Sequence, residues 1–127
     1  MRSLITSFLV LALLIGCWLC FYRYSDNALH HMVSACEEDI MPAIEAGNWD
    51  TAYIAFEKEY KAWHRYQKIA LFMLETDKIN ETDAAFAKTR MYIKAQDLSN
   101  SSGELLALKE SLVWLHKNEG LSLSNIL

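Results

Sequence analysis

The sequence predicts an all-α fold: an N-terminal transmembrane helix, then a four-helix bundle of two helical hairpins with an extended C-terminal tail. Three observations carry that expectation. Leu4 to Tyr22 is a run of 19 residues without a charge; four later stretches repeat apolar residues at spacings of three and four; and cap or turn residues separate those stretches. Residues 1–24 are then the membrane anchor and residues 25–127 one helical domain, large enough to fold without disulfides or metal.

At 1.5 Å per residue the uncharged run reaches about 28 Å, close to a hydrocarbon core of roughly 30 Å. Arg2 and Arg23 bracket it, and Trp18, Phe21 and Tyr22 gather at its far end, where amphipathic rings favour the headgroup layer. Leu14-Ile15-Gly16-Cys17 is lipobox-like and makes Cys17 a candidate lipidation site. Trp18 to Tyr22 nevertheless continue the apolar run where a lipoprotein turns polar, so an uncleaved anchor is expected. Tyr24 to Glu57 contains seven acidic residues and no Lys or Arg, so the N-terminus is expected in the cytoplasm and the domain outside it.

The first helix of the domain is expected after Ser25-Asp26-Asn27, which offer caps, with a stripe at Leu29, Val33, Cys36, Ile40 and Ile44. Pro42 removes the amide that would bond to Glu38 and predicts a kink; Gly47 ends the helix in the left-handed conformation. Asn48 caps the second helix, whose stripe reads Trp49, Tyr53, Phe56, Tyr60, Trp63, Gln67, Ala70 and Leu74, in unbroken four-three alternation. Glu57, Lys58, Lys61, Arg65 and Lys68 cover its other side, with Glu57 and Lys61 spaced as an i,i+4 pair.

A third helix is expected from the cap-rich Thr76–Thr82 region to about Ala95, with shallower burial at Ile79, Phe86 and Ile93. Ser99 to Gly103 reads as a loop, Leu105, Leu108, Leu112 and Leu115 as a fourth stripe, Gly120 as its stop, and Leu121 to Leu127 as an extended strap. Ile44–Trp49 and Ile93–Leu98 are six-residue segments 49 positions apart that each end a helix, a weak echo that favours pairing in hairpins. Gly47, Asn48, Trp49, Ala52 and Phe56 are the expected helix-turn packing set; Tyr53, Tyr60, Trp63, Leu108 and Leu112 are the expected core. The turn resembles that of a tetratricopeptide repeat, but only one copy is present.

From Arg23 onward the chain carries 16 acidic residues against 11 basic ones, and with no basic stripe in view nucleic acid is not expected as a partner. Three cysteines make no disulfide framework, and Cys17 and Cys20 lie inside the apolar run, so a redox or zinc role for them is not expected. Cys36 reads as a small buried hydrophobe, with linkage of two chains as the alternative. His30, His31, His64 and His116 form no Glu-x-x-His or His-Glu-x-x-His motif, and Glu37 and Glu38 stand two turns from His30 and His31, so no metal or other cofactor is expected. Glu37-Glu38-Asp39 and the acids from Glu75 to Asp83 read as solvated faces or caps. With no phosphate loop or nucleophile elbow either, the chain is not expected to be an enzyme.

The order of features, an N-terminal anchor, Gly47-Asn48-Trp49 with Ala52, Trp63 in a long helix, the Ile79 segment and a closing Leu-x-Leu-x-Asn-Ile-Leu, resembles the uncharacterised bacterial family of domain of unknown function 4363. The resemblance implies a single-span protein of anaerobic Firmicutes, often encoded beside a multi-span membrane protein. Thr76-Asp77-Lys78 stands where the resemblance implies an acidic–histidine pair, so a role for that histidine does not carry over. The resulting expectation is a membrane-tethered interaction module that docks on a membrane or envelope protein. A small-ligand sensor acting through a partner is the alternative.

Overall fold

The computed structural model describes residues 1–73 and 76–126, with side chains described for residues 1–72 and 76–117. Among the described residues the chain is all helical: α1 (Arg2–Ala35), a π-helical turn (Cys36–Ile40), α2 (Met41–Glu45), α3 (Trp49–Met73), α4 (Thr76–Lys94) and α5 (Leu98–Ile126). α1 packs on α3 and α5, α3 on α4, and α4 on α5.

The anchor and the first helix of the domain are one rod. Ser25, Asp26 and Asn27 do not start a helix, because nothing before them stops one; instead the buried Ser25 hydroxyl shares a hydrogen bond with Tyr66. The rod from Arg2 to Glu45 is long and apolar enough to cross a membrane, with a mean hydropathy of 2.5 over its most apolar window. Leu4, Phe8 and Leu13 stand 76%, 70% and 68% exposed on it. Packing against the domain begins at Phe21, which stacks on Tyr66 at 6.4 Å, so Phe21 is a core residue and not a headgroup ring.

The kink expected at Pro42 takes the form of the π turn just before it. Met41 N–H reaches back five residues to the Cys36 carbonyl, and the proline, lacking an amide, sits at the start of α2. The extra residue per turn keeps Cys36, Ile40 and Ile44, each four apart, on one buried side, where an ideal helix would rotate them away from it.

Both inter-helix turns on the side away from the apolar run have the same hydrogen bonding. After α2, Asn48 N–H bonds to Ala43 O at 2.9 Å and Gly47 N–H to Ile44 O at 3.0 Å, with Gly47 at φ +72°. After α4, Asp97 N–H bonds to Tyr92 O at 3.1 Å and Gln96 N–H to Ile93 O at 3.0 Å, with Gln96 at φ +54°. Both are Schellman motifs. The 49-residue echo therefore has a physical basis in two equivalent helix stops.

The buried line of α3 is Ala52, Phe56, Glu59, Trp63, Tyr66 and Ala70, one side of the predicted aromatic stripe; Tyr53 and Tyr60 are half-buried at its edge, while Trp63, Leu108 and Leu112 are fully buried. Leu74 lies outside the described residues. α4 buries Ile79, Phe86 and Ile93 to 1% exposure or less, deeper than expected, because Thr82 and Thr89 between them return their hydroxyls to the carbonyls of Lys78 and Ala85 at 2.8 and 2.7 Å. Those two polar positions thereby complete an apolar seam.

Ser99 to Gly103 is not a loop but the first turn and a half of α5. Asp97 caps it by accepting the Asn100 N–H at 3.1 Å, and Ser101 is buried on the same seam as Leu105, Leu108, Leu112 and Leu115. Nor does Gly120 stop the helix: α5 runs to Ile126, replacing the expected extended strap over those residues. One glycine costs a helix only about 1 kcal/mol relative to alanine, too little to end it without a competing turn. Leu127 lies outside the described residues.

Candidate docking surface

α3 buries one side against the other helices and turns the opposite side to solvent. On that outer side Ile54, Lys58, Lys61, Arg65, Lys68 and Phe72 follow one another at spacings of four and three, and all six are exposed. Ile54 and Phe72 are 70% and 88% exposed. Here is a basic stripe that composition alone hid, since the chain as a whole carries a net charge of −4. None of its four cations belongs to an ion pair among the described residues. The expected Glu57–Lys61 pair is absent because Glu57 leans toward α4 and takes Arg90 Nε at 2.6 Å.

Beside Ile54 the surface folds into an open groove of about 580 Å³, lined by Trp49, Asp50, Tyr53, Ile54, Ile93, Lys94 and Gln96. The helix-turn residues position it: the Gly47 turn sets Trp49 at the start of α3, and the Gln96 turn brings Lys94 opposite, where its ammonium lies 5.9 Å from the Tyr53 ring. Arg90 sits similarly over Tyr60 at 5.9 Å and reaches Tyr53 Oη at 3.5 Å, and this hydrogen bond, followed by the nearby Glu57, holds its guanidinium charge more firmly than usual. Tyr53 and Tyr60 thus belong to this cationic edge as much as to the core.

Inside the domain the polar groups tie helices together. Trp63 Nε1–H donates to Asp83 Oδ1 at 3.1 Å, so Asp83 is a cross-helix acceptor and not merely a solvated cap. Asp26, four residues before His30, turns away from it to pair with His116 on α5. Lys109 on α5 meets Glu37 in the π turn at 2.7 Å. Glu59, unrecognised in the sequence, is 3% exposed with His31 Nδ1 3.4 Å from Oε2, and burial pushes its carboxyl above the usual range. The exposed His31 lowers that pressure without cancelling it.

Cys36 is buried, and burial first, then the negative Glu59 and Glu37, push its thiol up to about 12, so it is a thiol and not a thiolate at neutral pH. That agrees with the small-hydrophobe reading. Cys17 and Cys20 are exposed on the apolar part of α1. His31 with Glu59 and His116 with Asp26 are pairs across helices, and among the described residues no group of three or more His, Cys, Asp or Glu is arranged to hold a metal.

The family described as Domain of unknown function (DUF4363) matches residues 19–126. No curated protein and no solved structure matches the chain.

Proposed function

Because this chain belongs to the DUF4363 family, whose description names no activity, we propose that it is a membrane-tethered helical module that docks on another membrane or envelope protein. The docking surface in this reading is the outer side of α3 at Ile54, Lys58 and Lys61 together with the adjoining Trp49–Tyr53 groove. The observation that carries it is the row of exposed cations without ion pairs among the described residues, next to exposed apolar and aromatic groups, on a chain of net charge −4. Such a surface suits an acidic partner with an apolar centre, for which the cations provide steering and register.

The reading further takes α1 as an uncleaved signal-anchor with its N-terminus in the cytoplasm and the domain outside it, in a bacterium of the Firmicutes. The domain would be two helical hairpins, α1–α3 and α4–α5, packed as one four-helix bundle; the matched Schellman turns support that pairing. A photoreactive residue at Ile54, introduced into the full chain in its native membrane, tests the docking surface. The expected result is one discrete acidic adduct that is lost in the Lys58→Glu, Lys61→Glu variant and retained in Lys88→Glu. An adduct indifferent to both changes would refute it.

A sensor for a small ligand is the second reading, favoured by the groove between Trp49, Tyr53 and Lys94. Thermal shift of the detergent-solubilised chain against small anionic and aromatic solutes separates the two. Stabilisation that disappears in Trp49→Ala supports the sensor, and its absence across the panel leaves docking.

A further inference from the structure

We propose that the end of the domain where α3 meets α4 is a lipid-seating surface, with Ile69 and Phe72 entering the membrane interface and Arg65 and Lys68 holding anionic headgroups. The proposal rests on the reading of α1 as a membrane span, and it adds a contact that the span alone does not require.

Helix register places these residues at the level of the membrane. α3 runs antiparallel to α1, as two contacts show: Tyr66 pairs with Ser25, and Glu59 lies against His31. Phe72 is six residues beyond Tyr66 in the direction of the apolar run, about 9 Å further along the helix axis. Tyr66 already touches Phe21 as well as Ser25. That puts Phe72 beside the stretch just before Phe21, at the level of Trp18 and Leu19, inside the uncharged run itself. If residues 4–19 lie in hydrocarbon, Phe72 cannot remain in bulk water.

The side chains at that level suit such a position. Phe72 is 88% exposed and Ile69 46%, neither of them used by the core. Arg65 and Lys68 stand one to two turns back on the same side of α3, both exposed, with Arg23 directly after the uncharged run. Cations at that distance above inserted apolar groups meet phosphates while their stems lie along the acyl boundary. Each adds to the attraction toward an anionic lipid surface. Among the described residues, Asp77 and Glu81 on the first turns of α4 are exposed acids at the same end, and Glu81 pairs with Lys78 at 3.1 Å. The acidic cluster Glu37-Glu38-Asp39 lies in the π turn, well along the rod from the apolar run.

The test uses the full chain in nanodiscs of phosphatidylcholine, with or without a phosphatidylglycerol fraction. Cys17, Cys20 and Cys36 are replaced by Ser, Ser and Ala, and a fluorophore whose emission reports polarity is attached through Leu13→Cys, Ile54→Cys or Phe72→Cys in turn. All three positions are exposed, so labelling leaves the core intact. Quenching by nitroxide lipids is expected to be strong at Leu13, absent at Ile54 and clear at Phe72, with the Phe72 signal severalfold above that at Ile54. The Phe72 signal is expected to rise with phosphatidylglycerol and to lose that rise in Arg65→Glu, Lys68→Glu. Quenching at Leu13 with Phe72 indistinguishable from Ile54 would overturn the seat alone. No quenching at Leu13 would overturn the span and the seat together, and equal quenching at Phe72 in both lipid compositions would overturn the headgroup assignment.

Discussion

At the scale of single residues, Glu59 is the group on which folding and protonation are most directly linked. Its carboxyl is held above its unfolded value of 4.5, so the folded chain keeps the proton that the unfolded chain releases. Its contribution is therefore most favourable below the unfolded value and is lost as pH rises through the folded one. Glu59→Gln, which keeps shape and removes the charge, is expected to raise Tm at neutral pH and to have little effect near pH 4, as read by thermal unfolding in micelles. A drop in Tm at neutral pH would show that the charge is better compensated by His31 than its burial implies. Tyr66 offers a second case. Tyr66→Phe leaves the fully buried Ser25 hydroxyl without its partner and is expected to cost about 1–3 kcal/mol in urea unfolding.

At the scale of elements, the two Schellman turns differ in one respect with a measurable consequence. Both need a residue in the left-handed region, and only the first has a glycine there. A side chain in that conformation costs roughly 1 kcal/mol. Gln96→Gly is therefore expected to stabilise the chain slightly, and Gly47→Ala to destabilise it by about 1 kcal/mol, although the added Cβ would meet nothing within 4 Å. Chemical denaturation of both variants checks the sign. The start of α5 is a further case: Asp97, whose carboxyl is held low by the Asn100 side chain and then by the Asn100 N–H, replaces the expected loop with a capped helix. Asp97→Ala is expected to lower Tm above pH 4, with the effect fading as pH falls below 3.8 through the lower folded value, because the acid form no longer caps well.

At the scale of the whole molecule, the core is a set of seams that meet between four long helices. Leu108, fully buried on α5, reports on it: Leu108→Ala is expected to cost about 2–5 kcal/mol through the cavity it leaves. The outer side of α3 is outside that accounting. Lys58→Glu with Lys61→Glu is expected to leave Tm nearly unchanged, as exposed groups contribute little to stability, while removing the acidic adduct at Ile54.

Local rules made much of this molecule legible in advance. The uncharged run, the Gly47 stop, the start of α3 at Trp49 and the burial of Trp63, Leu108 and Leu112 follow from periodicity, hydropathy and cap chemistry, which act within a few residues of one another. Family membership was legible as well, from packing positions spread over nearly the whole chain. Continuity of α1 through Ser25 and of α5 through Ser101 and Gly120 was not, because cap residues and glycine permit a break without requiring one. Only packing decided that Ser25 faces Tyr66 and that Asp97 starts α5. The pairings His31–Glu59, Asp26–His116 and Trp63–Asp83 join residues 28, 90 and 20 positions apart, and no spacing rule along the chain anticipates them. The basic stripe lay in plain sequence at spacings of three and four, hidden by a negative total. Hydropathy determined that an apolar helix precedes the domain; tertiary register alone decided that Phe72 and Ile69 stand beside its end, because that placement depends on how two distant helices align.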